Sequence, residues 1–189
     1  FLRLNPLMSV ITNIDADHLE NYGNDFARVQ AAFAEFLQRL PFYGLAVLCI
    51  DDPEVAALAG AVSRHVMTYG FHADADVRAE NVRQDGPTMH FDLVLPDASV
   101  TPMELAMPGR HNANNALAAM LAARHAGVRP EHALASLSGF GGIRRRLERV
   151  GEAAGVTVYD DFAHHPTAID ETLAALRSVV GRSRILAVI

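Results

Sequence analysis

Leu45-Ala-Val-Leu-Cys-Ile50, with Asp51-Asp-Pro53 directly behind it, is the stretch on which the fold turns. Six apolar residues run without alternation and stop at two carboxylates and a proline, the signals that open a helix. A strand apolar on both faces is covered on both, as in a parallel sheet flanked by helices. Outward from it, short apolar runs alternate with helical patterns. Met8–Thr12 predicts a strand ending in Asn13-Ile-Asp-Ala-Asp-His18. Asp25–Leu40 repeats Phe26, Val29, Phe33, Phe36, Leu37 and Leu40 at helical spacing, with Asn24 or Asp25 to cap it and Pro41 beyond its end. A helix over about 54–63 and a strand at His65–Tyr69 follow. Met89–Leu95 and Met103–Met107 alternate loosely, as antiparallel or half-exposed strands do. Pro108-Gly109 breaks the chain before helices at Asn112–Ala126 and Pro130–Leu137.

Ser138-Gly-Phe-Gly-Gly142 reads as a flexible joint, and Arg144-Arg145-Arg146 follows it. Beyond the joint, strand Val156–Tyr159, loop 160–166, helix 167–180 and a strand over 184–189 predict one parallel, right-handed βαβ unit. The expected class is α/β, with a boundary near 139–146 dividing residues 1–140 from 141–189.

Composition narrows the chemistry. All 16 basic residues among the 189 are Arg; there is no lysine. Schiff bases, a P-loop lysine and a lysine base are therefore excluded within these residues, and phosphate must be met by Arg, backbone N–H groups or a metal. The net charge of −6 argues against a nucleic-acid surface. The one cysteine, Cys49, forms no intrachain disulfide and reads as a buried, reduced thiol of a cytoplasmic protein. No apolar run approaches the ~18 residues of a membrane helix. Phe1 stands where an initiator Met is absent, and the apolar run at 184–189 has no covering helix after it. The expectation is a piece of a longer chain.

Four polar clusters lie where α/β folds place function, at strand ends and helix starts. Asn13-Ile-Asp-Ala-Asp-His18 offers carboxylates and an imidazole to Mg²⁺ or a nucleotide, or is simply a capped loop. Arg110, His111, Asn112 and Asn115 sit at a helix start, where amides read the edge of a base; the plain alternative is an Asn N-cap. The Arg triplet suits phosphate, or is a solvated charge run. Asp160-Asp-Phe-Ala-His-His165 offers Asp161 to a ribose hydroxyl and Phe162 to a base, against a turn with Asp capping; zinc on His164 and His165 lacks a third ligand nearby.

With these clusters in this order, the chain resembles the Mur ligases, ATP-dependent amide-bond ligases of peptidoglycan synthesis. The resemblance rests on ITNIDADHLENYG (11–23), LPFYGLAVLCIDD (40–52), PGRHNANNALAA (108–119), the Arg triplet and DDFAHHPTA (160–168). It implies the later part of the family's central ATPase domain followed by the start of its Rossmann-like C-terminal domain. It implies ATP and Mg²⁺, and an acyl phosphate formed on UDP-N-acetylmuramate and attacked by an amine. By resemblance, His18 is a metal ligand, and Arg110, His111, Asn112 and Asn115 face the nucleotide. Arg145 and Arg146 reach its phosphate, Asp161 and Phe162 flank the nucleoside, and Asn13, His164 and His165 face the other substrates, His164 with a catalytic share. Residues 1–118 are most like the member that adds L-alanine. The part from about 122 is more like the member that adds a tripeptide, because the former usually has Tyr-Gly in place of Phe162-Ala163 and Gly-Arg-Arg in place of Arg144-Arg145-Arg146. The resemblance places a P-loop upstream of Phe1, so these residues alone are expected to be inactive. Readings of another class are a non-catalytic nucleotide-binding module and a small zinc protein.

Overall fold

The computed structural model describes residues 1–189. Its main sheet has six strands in sequence order: β1 (Met8–Ile11), β2 (Leu45–Cys49), β3 (His65–Gly70), β4 (Val77–Asp85), β5 (Thr88–Val94) and β6 (Val100–Leu105). The first four run parallel, and β5 and β6 return antiparallel. Helices α1 (Phe26–Gln38), α2 (Pro53–Ala59), α3 (Arg110–His125) and α4 (Pro130–Ser138) cover it.

β2 is buried along its whole length, and its period of two divides the interior into two cores. Leu45, Val47 and Cys49 face the larger one, with Leu117, Met120 and Leu121 of α3. Ala46 and Leu48 face the smaller one, with Val29 and Leu37 of α1 and Val55 of α2. That double burial is why the strand shows no alternation in sequence. The two acidic residues after it have separate jobs. Asp52 caps α2 by accepting from Val55 N at 2.9 Å, while Asp51 reaches across to β3. Asp25 caps α1 by accepting from Ala27 N at 3.0 Å.

A second, two-stranded sheet is formed by β7 (Glu148–Ala153) and β8 (Val156–Asp160), followed by α5 (Pro166–Val180). The βαβ expectation is corrected here. β8 pairs antiparallel with β7 through a two-residue turn, Ala154-Gly155, in which both residues have positive φ, the tight hairpin geometry that suits strand twist. Residues 184–189 form no strand, and Leu186, Val188 and Ile189 are exposed. Apolar composition gives a strand only beside a partner ladder, and β8 is laddered to β7 alone. An open apolar cleft of about 1230 Å³ separates α5 and β8 from this terminal stretch. Two strands without a sequence expectation, β4 and β7, are rich in charged residues, and the strand expected at 103–107 lies at Val100–Leu105.

Leu48 is completely buried. Leu48→Ala is expected to cost about 2–5 kcal/mol of unfolding free energy, read from the shift of the urea midpoint at unchanged slope. Cys49 is buried and its thiol is pushed up chiefly by that burial, so a thiol reagent should label it only after denaturation.

Candidate functional site

The carboxyl ends of β1 and β2 and the start of α3 carry the first polar groups. Asp51 is the node of this end of the sheet. Its carboxylate accepts from Phe71 N at 2.8 Å, His72 N at 3.0 Å and the Asn114 side-chain amide at 2.9 Å. Gly70 beside it has φ 151, and a Cβ there would lie 2.5 Å from Asp51 Oδ1, so only glycine lets the carboxylate approach. Phe71, fixed in this way, supports the Arg110 guanidinium 4.0 Å from its ring centre. Arg110 is thus held over an aromatic ring at the start of α3.

The N-cap of α3 is Gly109 at φ 99, which brings no side chain, so the first-turn N–H groups have no side-chain cap. The Asn N-cap alternative does not occur. Asn112 is buried and its amide donates back to the Pro108 carbonyl at 2.7 Å, tightening the turn, while Asn115 is exposed. The two Asn therefore do not share an environment. His111 Nδ1 is buried without a hydrogen bond, 3.4 Å from Glu171 Oε2, and Asn114 Oδ1 and the Tyr69 hydroxyl are orphaned as well. Buried polar atoms without partners are costly in a folded chain. The uncapped turn with its orphaned His111 and stacked Arg110 fits a polar, anionic ligand such as a nucleotide.

The second group lies between β7 and α5. Arg145 and Leu147 have φ 59 and 48, the left-handed region that such residues rarely adopt. Asp161 holds this bend: its carboxylate accepts from Leu147 N at 2.6 Å, Ala163 N at 2.8 Å and the Thr172 hydroxyl at 3.2 Å. Asp161 is a fastener of the loop, with at most one acceptor site left for a ribose hydroxyl. The bend sets the guanidinium carbons of Arg145 and Arg146 4.8 and 5.7 Å from the Phe162 ring centre, and Arg145 Nε lies 3.6 Å from Asp160. Phe162 is half exposed and its ring is 5.1 Å from that of His164. His164 Nδ1 lies 2.9 Å from the Phe162 carbonyl, which only accepts, so Nδ1 carries the proton. Nε2 of the same ring makes no hydrogen bond and is the nitrogen left to meet a ligand.

These groups meet the first set through Asp15. The Thr167 hydroxyl donates to Asp15 Oδ2 at 2.5 Å, and His165 Nδ1 lies 3.8 Å from the same oxygen. Asn13 and His18 are exposed in the same loop. His18 lies 3.5 Å from both Asp17 and Glu20. No group of three or more His, Cys, Asp or Glu is arranged for a metal, which leaves His164 and His165 without a zinc site. Mg²⁺ takes an octahedral shell made largely of oxygen, and one imidazole with two loosely placed carboxylates does not supply one, so these residues do not by themselves fit the ion. Asp51, Gln84, Asn114 and Glu171 help to bind the site together and were not legible as site residues; Asp15 was read as a carboxylate of the 13–18 cluster, but not as the partner of Thr167. The only signal for Asp51 was its place after β2.

Residues 2–123 match the Mur ligase middle domain and residues 145–189 the Mur ligase, glutamate ligase domain. The chain is 64% identical over 182 residues to a UDP-N-acetylmuramate–L-alanine ligase of Xanthomonas campestris pv. campestris, covering 94% of this chain and 38% of that protein. The chain thus spans well under half the length of the curated relatives it matches. Among solved structures, a UDP-N-acetylmuramate–alanine ligase of Thermotoga maritima aligns with a TM-score of 0.77 at 26% identity, covering 94% of this chain and 40% of that one. A murein peptide ligase of Psychrobacter arcticus aligns at 0.71 and 29%, covering 97% and 37%.

The Thr167 hydroxyl bonded to Asp15 holds that carboxyl below the usual carboxylate range. A carboxyl whose folded pKa is depressed stabilises above its unfolded value, near about 4, and loses that contribution as pH falls through the lower folded value. The difference in urea midpoint between the parent chain and Thr167→Val should therefore be full at neutral pH and shrink as pH falls below about 4. Asp51→Ala is expected to lower the melting temperature and to broaden the Arg110 side-chain NMR signal, because Phe71 loses its anchor.

Proposed function

Because the chain belongs to the Mur ligase family, we propose that it carries the later part of the central ATP-binding domain, residues 1–140, and the start of the C-terminal domain, residues 141–189, of an ATP-dependent ligase. Its reaction joins L-alanine to UDP-N-acetylmuramate. The observation that carries this reading is the 64% identity to an L-alanine ligase over 94% of the chain. The convergence of loop 13–18, the α3 start and the Arg145–His165 loop on one line of contacts supports it.

In this reading the lactyl carboxylate of the nucleotide sugar attacks the γ-phosphorus of ATP, releasing ADP and leaving an acyl phosphate. The amine then attacks the acyl carbon, and the tetrahedral intermediate expels phosphate to leave the amide. Arg110, His111 and Asn115 face the adenosine, with the uncapped first turn of α3 beside its polar groups, while the buried Asn112 holds that turn through the Pro108 carbonyl. Arg145 and Arg146 answer the charge that builds on the transferring phosphoryl group, a task for fixed cations in a dry site. Phe162 stacks near the base while Asp161 holds the bend and offers its remaining lone pair to the ribose. His164, with Nε2 open, takes the proton that the attacking amine sheds, and Asn13 and His165 line the acceptor side. His18 would give Mg²⁺ one nitrogen ligand at most, and the oxygen ligands that the ion requires would have to come from the phosphates and from outside loop 13–18. A phosphate-cradling lysine is absent from the 189 residues, so the chain alone does not turn over ATP. Reliance on ATP and a nucleotide sugar sets the reaction in the cytoplasm.

The test is a chimaera in which these residues replace the matching 182 of the Xanthomonas campestris relative. Phosphate release in Mg²⁺ and ATP should require both UDP-N-acetylmuramate and L-alanine. Release with the tripeptide L-Ala-γ-D-Glu-meso-diaminopimelate but not with L-alanine overturns the acceptor, and no release with either overturns the ligase reading. Arg146→Ala should lower kcat by a factor on the order of 10²–10³, as loss of one charge-stabilising donor does.

A further inference from the structure

Three residues of α5 meet the first sheet at a spacing of four: Thr167, Glu171 and Ala175. Residues four apart lie above one another on one helix face. Each meets a different part of the first sheet's ligand end. Thr167 bonds Asp15 in the loop after β1 at 2.5 Å. Glu171 lies 3.4 Å from His111 in the first turn of α3. Ala175, 4% exposed, has its carbonyl 3.4 Å from Gln84 Nε2, and its Cβ lies 2.9 Å from where a Cβ on Gly109 would stand. Gln84 closes the set by accepting from Gly109 N at 3.0 Å.

We infer that Thr167, Glu171 and Ala175 form a docking stripe that sets the register of the Arg145–Phe162–His164 loop against the start of α3, and that they act as positioning residues. Two small residues, Gly109 and Ala175, let the helix approach, and the Thr167–Asp15 bond together with the Gln84 bridge between Ala175 and Gly109 fixes its rotation and its sliding. A shift of one residue along α5 would turn the helix by about 100° and remove all three contacts together. The loop at 160–165 leads directly into this helix, so its orientation follows that of the stripe. The positioning role rests on the ligase reading; the docking itself does not.

The experiment measures ¹⁵N relaxation on the 189-residue chain. Residues 8–125 and 145–180 should tumble with one correlation time. Ala175→Leu, which overfills the contact with Gly109, should split it in two. Thr167→Val should do so in part, and Thr167→Ser, which keeps the hydroxyl, should restore the common value. Ala174→Leu, on an exposed neighbouring position, should leave it unchanged and shows that an added Leu alone does no harm. Two correlation times in the parent chain, or one in Ala175→Leu, overturn the docking. In the chimaera, Ala175→Leu should lower kcat at least tenfold with the KM for ATP unchanged, and an unchanged kcat overturns the positioning role. A chimaera inactive before the substitution refutes the ligase reading alone, since relaxation still decides the docking.

Discussion

Burial of β2 on both faces is the constraint from which the rest of the molecule follows. One face needs α3 and the other needs α1 and α2, so the helices must lie on opposite sides of the sheet. With both sides occupied, the edges of the strands at their carboxyl ends are what remain open to a ligand. Asp51 leaves β2 there, and the loop with Asn13, Asp15 and His18 leaves β1 beside it. The polar end of the sheet is thus a consequence of how its centre is packed.

Carboxylates organise that end by satisfying backbone N–H groups. Asp51 fixes Phe71 and through it Arg110, Asp161 fixes the bend that presents Arg145 and Arg146, and Asp15 receives α5. In each case an acidic residue orients a cation or a helix without being its direct ion partner. An acidic chain with only Arg as its fixed cation can therefore still gather positive groups on one face.

The first three strands, the amphipathic α1 and the α3 start were legible because their periodicity or punctuation is local. β4 and β7 were not: Arg78, Glu80 and Arg83 in one, and Glu148, Arg149 and Glu152 in the other, mask the alternation, and both strands exist through their partners. The apolar run at 184–189 had the composition of a strand and no neighbour to make it one. Among site residues, the clusters at 110–115 and 160–165 were visible by density of polar groups. The distinct duties of Asp51 and Asp52 were not, since both read as helix caps.

Composition and order of motifs were enough to establish the α/β class, the all-arginine chemistry and the family. These depend on local pattern and residue type, which the chain carries at every point. The meeting of Asp15 with Thr167, of His111 with Glu171 and of Gly109 with Ala175 joins residues from 60 to 152 positions apart. No local preference encodes such pairs. They arise when α5 settles against the ligand end of the first sheet, where packing and the need to satisfy polar groups choose one register.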